Sequence, residues 1–471
     1  MDRHTFVIDQ SRYATKDEYL YRGHFYSDKL VAMSLYGAGV AFVLRSMFDL
    51  SLQSRPTTTQ YALTFAFVGL LYALGLVYLF QTLRLMSIDR RWAAAVCGTA
   101  GLAFVIRSIL GASPGPRETL AYYLVTLMVV GVMYALGLAY LFLSLRLLGV
   151  DQRWAVSVSV AAGLGTLLLP YSSVFANHVV SGALAIIGFY QLLRVRDGWV
   201  HALLSGLLFA LAASVELPYF VFLIAAPIAL WRCPARRALA FFFGAAPVVA
   251  AFLWSDVALT GSVVPADLNP ALWNYPGSIF SQETLAGVSG FHSVADLFTY
   301  GMRTLVGDFG LFTFTPIFLF SVYGFVRLVR ARDFQFKTQV LFLAAACAAY
   351  VLLAIFKTSD FGGWSYGFRS FAGLAYGLCL PLGFLPDMVA GPKVGFLYRV
   401  ALTLSICLAL LGLIDPYPRP EPLASNLQPF LVSGQHFPIA AKWAFAVGAF
   451  VAAAALANRL ASLARPAQAV S

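Results

Sequence analysis

The chain reads as an all-α, polytopic transmembrane helical bundle of about thirteen spans, and three observations predict it. Apolar residues make up 60% of the sequence and charged residues only 11%, with a mean hydropathy of +0.78, a balance far from that of water-soluble domains. The apolar residues fall in runs close to the roughly 20 residues needed to cross about 30 Å of hydrocarbon. The remaining Arg and Lys residues gather between those runs in alternate loops, as membrane insertion sorts positive charge.

The N-terminal segment, 1–58, is polar at its start: twelve of the first 29 residues are charged or histidine, and this stretch ends in Tyr26-Ser27-Asp28-Lys29. It is expected outside the membrane, with the run from Leu30 to Leu44 as an interfacial or re-entrant helix: a crossing there from an external N-terminus would export every Arg-rich loop that follows, so the alternative is a crossing run with a cytoplasmic N-terminus. The transmembrane domain, 59–457, holds apolar runs at 60–83, 93–110, 121–145, 154–171, 178–195, 200–215, 218–231, 238–258, 309–328, 339–356, 372–390, 396–414 and 438–457. The runs 200–215 and 218–231 are short and broken at Pro218, so one bent hairpin is the alternative to two spans. Loops 259–308, 357–371 and 415–437 are expected outside, and the tail 458–471 inside. The stretch Gly261 to Asp308, with Trp273, Tyr275, Phe280, Phe291 and His292, is long enough to form either a lid or a plain structured loop.

The net charge of +11 does not point to nucleic acid, because the cations neither cluster on one soluble face nor alternate with stacking aromatics. After Lys29, one set of loops and span ends holds Arg84, Arg90, Arg91, Arg146, Arg153, Arg194, Arg196, Arg232, Arg236, Arg237, Arg327, Arg330, Arg332, Lys337, Lys393, Arg399, Arg459 and Arg465. That side is the cytoplasmic one, and the C-terminus lies on it. The five cysteines are scattered without a CxxC spacing, and the six histidines show no HxxxH or HxxE pattern. Neither a disulfide nor a metal cluster is assigned, and no cofactor is called for, a divalent metal remaining open.

One internal repeat is strong. Gly69, Tyr72-Ala73-Leu74-Gly75-Leu76, Tyr78-Leu79-Phe80, Leu83-Arg84-Leu85, Asp89 and Arg91-Trp92 recur 62 residues on, from Gly131 to Arg153-Trp154. Chance similarity between apolar helices would not keep Arg, Asp and Trp in step, so a tandemly duplicated two-span hairpin is predicted at about 60–110 and 122–172. A same-direction repeat differs from the inverted repeats of many secondary transporters, which weighs against transport.

Two polar islands carry the functional signal. Thr5-Phe6-Val7-Ile8-Asp9 followed by Gly23-His24-Phe25-Tyr26-Ser27-Asp28-Lys29 resembles the first external loop of GT-C superfamily membrane glycosyltransferases, the group of protein mannosyltransferases and the lipid A aminoarabinose transferase. Gly163-Leu164-Gly165-Thr166, Pro170-Tyr171-Ser172, Asn177-His178, Val215-Glu216-Leu217-Pro218 and Gly362 to Arg369 resemble later landmarks of the family in the same order. The resemblance implies a multi-pass protein of the cytoplasmic membrane, with transfer of a sugar on the exoplasmic side from a polyprenyl-phosphate donor to a lipid, glycan or protein acceptor. It also implies an acidic loop residue as general base and cations on the departing phosphate. Leu30-Val31-Ala32-Met33 stands where the family has Ala-Pro-Gly or Pro-Pro-Gly. The family's usual catalytic acid precedes the Thr5 motif, just after a first span, which predicts either a start upstream of Met1 or a shortened relative that binds lipid-linked glycan without transferring it.

Within that frame Asp9 and Asp28 are the matched acids, to be weighed against solvated loop charge and, for Asp28, a helix N-cap. Lys29, with Tyr26 beside it, is the candidate phosphate contact, the alternative being a snorkelling anchor. Arg369 is a candidate phosphate clamp and Trp364 and Tyr366 candidate sugar platforms, against an aromatic belt. Glu216 lies between apolar runs, where an unpaired carboxylate would be costly, so it must reach water, a partner or a cavity. His178 is expected at an external helix start, touching acceptor or merely solvated.

Overall fold

In a membrane an apolar run must satisfy its own backbone N–H and C=O groups, and helices are the local way to do so. The structure, a computed structural model, describes residues 9, 18–27, 31–48, 125–278, 293–331, 334–357, 365–413, 416–417 and 439–464. The apolar runs 60–83 and 93–110, and with them the first copy of the duplicated hairpin, lie outside the described residues, as do Asp28, Lys29 and Trp364.

One correction to the all-α expectation comes first. Strands β1 (Glu18–Tyr21) and β2 (His24–Ser27) form an antiparallel hairpin in which Glu18 faces Ser27 and Tyr21 faces His24. Aromatic side chains favour the pleated surface, and the two turn residues, Arg22 at φ 51° and Gly23 at φ 81°, supply the positive angles of a two-residue type I′ turn. Helix α1 (Val31–Phe48) follows, a full 18-residue helix that lies against the bundle. Met33 is buried, and Gly37 leaves room for the Phe175 ring, which a Cβ there would meet at 3.1 Å.

The second copy of the repeat builds α2 (Val132–Leu147), entered through a π-helical turn at Leu127–Gly131, and α3 (Gln152–Leu164). The polar residues that the repeat keeps in step make the turn between them. Arg146 Nη1 donates to Val150 O at 2.6 Å. Asp151 caps α3 by accepting from Arg153 N at 2.8 Å and Trp154 N at 3.3 Å. The Trp154 indole donates to Leu382 O at 3.0 Å. These are structural tasks, which explains why Arg, Asp and Trp travel together.

Next come α4 (Leu168–Ser172), α5 (Asn177–Leu193), α6 (Trp199–Val215), α7 (Phe220–Leu230) and α8 (Ala235–Thr260). The amphipathic α9 (Val294–Leu305), α10 (Leu311–Phe314), α11 (Phe318–Arg330) and α12 (Lys337–Lys357) follow. The chain ends through α13 (Ala375–Cys379), α14 (Pro386–Ala390), α15 (Pro392–Gly412) and α16 (Ile439–Ala461). Among the described residues, the segments Leu127–Leu147, Ala235–Thr260, Lys337–Phe356 and Pro392–Gly412 are long and apolar enough to cross a membrane. Shorter apolar helices occupy most of the other runs.

Three runs that read as single spans are broken. The run 154–171 stops at Leu164 and resumes at Leu168, with Thr166 Oγ1 donating to Ala162 O and accepting from Leu168 N. The run 309–328 divides at Thr315-Pro316, and 372–390 splits into α13, a 3₁₀ turn at Leu380–Phe384 and α14, where Pro381 and Pro386 remove backbone donors. Elsewhere small residues set the packing. A Cβ on Gly206 would lie 1.9 Å from Phe241 O, and one on Gly244 2.1 Å from Leu203 O, so α6 and α8 meet backbone to backbone.

The breaks divide the bundle into two polar ends. At one end Trp154 and Arg327 hold the 382–387 segment, Arg327 Nη1 donating to Phe384 O at 2.9 Å and Nη2 lying 3.5 Å from Asp387. Tyr171 lies beyond the far end of α3, a helix whose 13 residues rise about 20 Å.

Candidate functional site

At that far end the fold gathers landmarks that are remote in the chain. Helix α5 begins at Asn177, which turns His178 and, one turn on, Ser181 toward the end of α6. There the helix stops: Glu216 is extended, at φ −150° and ψ 110°, and Pro218 starts a short 3₁₀ turn. The Glu216 carboxylate, only 6% exposed, faces His178 Nδ1 at 2.8 Å through Oε1 and accepts from Ser181 Oγ at 2.7 Å through Oε2. The Tyr350 hydroxyl, from α12, also donates to Oε1. An acid so far from water needs partners of this kind, and the three meet that need.

The same tyrosine reaches the second polar island. Tyr350 OH lies 3.0 Å from Ser370 O, in the short 3₁₀ turn Arg369–Phe371. On the other flank, Tyr171 OH lies 3.1 Å from Tyr366 O and 3.3 Å from Pro416 O, while Tyr366 N donates to Pro416 O at 3.1 Å. Phe368 N donates to Phe309 O at 3.2 Å. Gly367, at φ +68°, provides the left-handed bend that a side chain would resist. Arg369 is thus held between two pinned neighbours, partly exposed and close enough to Tyr171 to act on it electrostatically.

Two glycines let this segment close on α5. A Cβ on Gly182 would meet Gly373 O at 2.3 Å, and a Cβ on Gly373 would meet His178 O at 2.2 Å and Tyr219 Oη at 2.3 Å. Gly373→Ala is therefore expected to push the 365–373 segment off α5, at a cost of about 1–3 kcal/mol as overpacking. Thermal unfolding in detergent measures this directly, and an unchanged midpoint would mean that the contact yields freely.

Tyr366 departs from its expected role. It is 2% exposed, its hydroxyl donates to Leu408 O at 2.8 Å, and its ring packs edge-on to Phe314. It is an internal strut of the loop rather than an open platform. His178 departs as well, since it is buried and paired instead of solvated.

The N-terminal island is built separately. Tyr19, Ala266, Leu272 and Trp273 form a small core of their own, with Tyr21 and Tyr26 packed on it. Tyr26 stacks on Tyr19 at 5.5 Å, Phe25 meets Tyr275 edge-on at 5.3 Å, and Tyr275 OH donates to Glu18 O at 3.0 Å. The loop 261–278 therefore seats the hairpin through two short 3₁₀ turns, Ala266–Leu268 and Pro270–Leu272. Of the stretch 261–308, residues 261–278 are thus a structured loop packed on the hairpin, and 279–292 lie outside the described residues.

Asp9 belongs to the hairpin. Its Oδ2 faces His24 Nδ1 at 2.7 Å and its Oδ1 accepts from Phe25 N at 2.6 Å. Those two bonds hold its carboxyl below the ordinary value of 3.8, which makes it a poor proton acceptor at neutral pH. The sign follows from linkage: a depressed folded pKa gives the hairpin support that is complete above the ordinary carboxyl value and is lost as pH falls through the lower folded one. Amide exchange of residues 18–27, corrected for intrinsic rates, is expected to rise on acidification in the wild type and to be raised already at neutral pH in Asp9→Asn. Identical exchange in both proteins would remove this role from Asp9.

Among the described residues no group of three His, Cys, Asp or Glu side chains is placed to hold a metal ion. Sequence reasoning missed Ser181, Tyr350 and the Gly182–Gly373 contact. Ser181 had a local signal, three residues from His178 on one helical face; Tyr350, a lone hydroxyl in an apolar run, had none that named its partner.

No protein-family model and no curated protein matches the chain. Among solved structures it is similar to ArnT from Cupriavidus metallidurans bound to undecaprenyl phosphate, at 13% identity and a TM-score of 0.35, covering 76% of this chain and 66% of that one. It is also similar to the oligosaccharyltransferase of Archaeoglobus fulgidus in its apo form, at 13% identity and a TM-score of 0.37, covering 69% of this chain and 48% of that one. The chain thus spans about two thirds and about half of the lengths of these two proteins.

Proposed function

We propose that the chain transfers a sugar from a polyprenyl-phosphate donor to a hydroxyl or amine acceptor on the exoplasmic face of the cytoplasmic membrane. In this reaction the acceptor atom attacks the anomeric carbon, the bond from that carbon to the phosphate oxygen breaks, and the acceptor's proton passes to a carboxylate of the N-terminal segment. Both Asp9 oxygens are committed to the hairpin, so Asp28 is the acid of this segment to test as base. Arg369 meets the departing phosphate, and Lys29 adds a second cation from the N-terminal side.

The observation that supports this reading best is the mounting of Arg369. Tyr171 donates to Tyr366 O and Phe368 N donates to Phe309 O, so a guanidinium sits on a backbone with little freedom. Preorganised charge is what a phosphate leaving group requires, because a site that must first arrange itself loses the advantage. Glu216 serves this reading as the buried anchor of Tyr350, with His178 as its partner and no role at the reacting atoms.

The deciding experiment supplies purified protein in lipid with a polyprenyl-phosphate pentose or hexose and a pool of envelope lipid and glycan acceptors. Release of polyprenyl phosphate, lost in Lys29→Ala and in Asp28→Asn, supports the reading. Binding of polyprenyl phosphate without any release would favour a lipid-glycan binding relative, and movement of intact donor across the bilayer would favour a flippase.

A further inference from the structure

Among the described helices too short to span, α9 carries a ridge of exposed apolar side chains on its outer face. Its first turn is capped by Ser293, whose hydroxyl accepts from Asp296 N at 3.1 Å, so the helix is defined from its start. At 12 residues it rises about 18 Å, too short to cross the hydrocarbon. One side is buried: Tyr300, Gly301 and Thr304 face inward, and a Cβ on Gly301 would touch Ile355 at 3.6 Å. The other side carries Val294, Phe298 and Met302 at a spacing of four, each exposed, at 84%, 67% and 42%, and Val306 extends the ridge at 52%. Polar residues do not share that ridge: Asp296 and Thr299 flank it, and Arg303 turns back to Asp308 at 2.7 Å.

The position of this ridge identifies what covers it. Ile355 is two residues from Lys357, where α12 ends, so α9 lies across the end of a helix apolar enough to span. The last turns of α12 also expose apolar side chains, Leu352, Leu353 and Phe356, beside the Ile355 that Gly301 of α9 packs against. Exposed apolar side chains on the flank of a span and on a short amphipathic helix packed at its end match the boundary between acyl chains and head groups.

We propose that α9 lies in the plane of the membrane at the Lys357 end of α12, with Val294, Phe298, Met302 and Val306 inserted among the lipids of that leaflet. Its inner face props the end of α12, seven residues after Tyr350. The helix is then a fixed float for that end of the bundle and not part of a mobile cover. This holds whether or not the chain is a transferase.

The test places p-benzoylphenylalanine at position 298 in the full chain, reconstituted in phosphatidylcholine and phosphatidylglycerol vesicles, and identifies the photoproducts by mass spectrometry. Lipid adducts at 298 are expected, with few or none when the probe replaces Asp296. A probe at Met302 repeats the experiment on the same ridge should the first variant fold poorly. Crosslinks from the ridge to residues 279–292, crosslinks to a second copy, or lipid capture no greater at 298 and 302 than at 296 would each overturn the assignment.

Discussion

Arg369→Ala is expected to lower transfer about 10²–10³-fold, the loss typical of removing one preorganised group from a developing charge, while the protein keeps its thermal unfolding midpoint. The separation follows from how the loop is held. Its fixed points are the backbone groups of Tyr366, Phe368 and Ser370, which meet Pro416, Phe309, Tyr171 and Tyr350 without the guanidinium. Arg369→Lys keeps the charge but gives up the planar fork that matches two phosphate oxygens. One hydrogen bond to a charged group is worth roughly 1.5–3 kcal/mol, so the lysine variant falls between the wild type and the alanine variant, at a loss of about ten- to 150-fold. Steady-state transfer, with polyprenyl-phosphate affinity measured alongside, checks both steps. Equal activity in all three proteins would take Arg369 out of the site.

The value of that series depends on Tyr350 and Tyr171, and here the limits of sequence reading are instructive. The membrane class, most helix positions and the break at Pro218 follow from local properties: apolar run length, proline, and the sorting of Arg and Lys. The landmarks of the site were visible for the same reason, as polar residues in apolar surroundings. Their pairing was not. His178 and Glu216 are 38 residues apart, and Tyr350 reaches Glu216 across 134. Contacts of that range are fixed by how the helices pack, which in turn rests on glycines such as Gly182, Gly206 and Gly244 that look unremarkable in a run of small residues. The short β-hairpin escaped for a different reason. Four-residue strands give too little alternation to stand out, and only the Arg22-Gly23 turn, with aromatics on both sides, marks them.

Tyr366 shows the opposite error. A Trp-Ser-Tyr-Gly sequence between two apolar runs suggests exposed aromatics, but the tyrosine folds inward, where its hydroxyl donates to Leu408 O in the last turns of α15. A tyrosine can serve as a core residue wherever one acceptor is within reach of its tip. Trp364 is the candidate platform still to be tested: if it stacks on the donor sugar, its replacement by alanine lowers donor affinity.

The buried pair gives the second large effect, and its two halves are not equivalent. Replacing Glu216 with alanine leaves Tyr350 a fallback acceptor, Ser370 O, and leaves Ser181 another, Asn177 O at 2.9 Å. The loss is then three hydrogen bonds at about 0.6 kcal/mol each, the average in a membrane bundle, or about 2 kcal/mol. Replacing His178 instead removes the ring that faces, at 2.8 Å, a carboxylate only 6% exposed. Removing one member of a buried ion pair typically costs about 3–5 kcal/mol, because the other charge is left uncompensated. His178→Ala should therefore destabilise the protein more than Glu216→Ala, and neutralising the acid in that background should restore part of the loss. Thermal unfolding of His178→Ala, Glu216→Gln and the double variant in one detergent settles the order. If His178→Ala/Glu216→Gln unfolds below His178→Ala, the glutamate is not held as an anion by this histidine, and the anchor of Tyr350 rests on neutral hydrogen bonds alone.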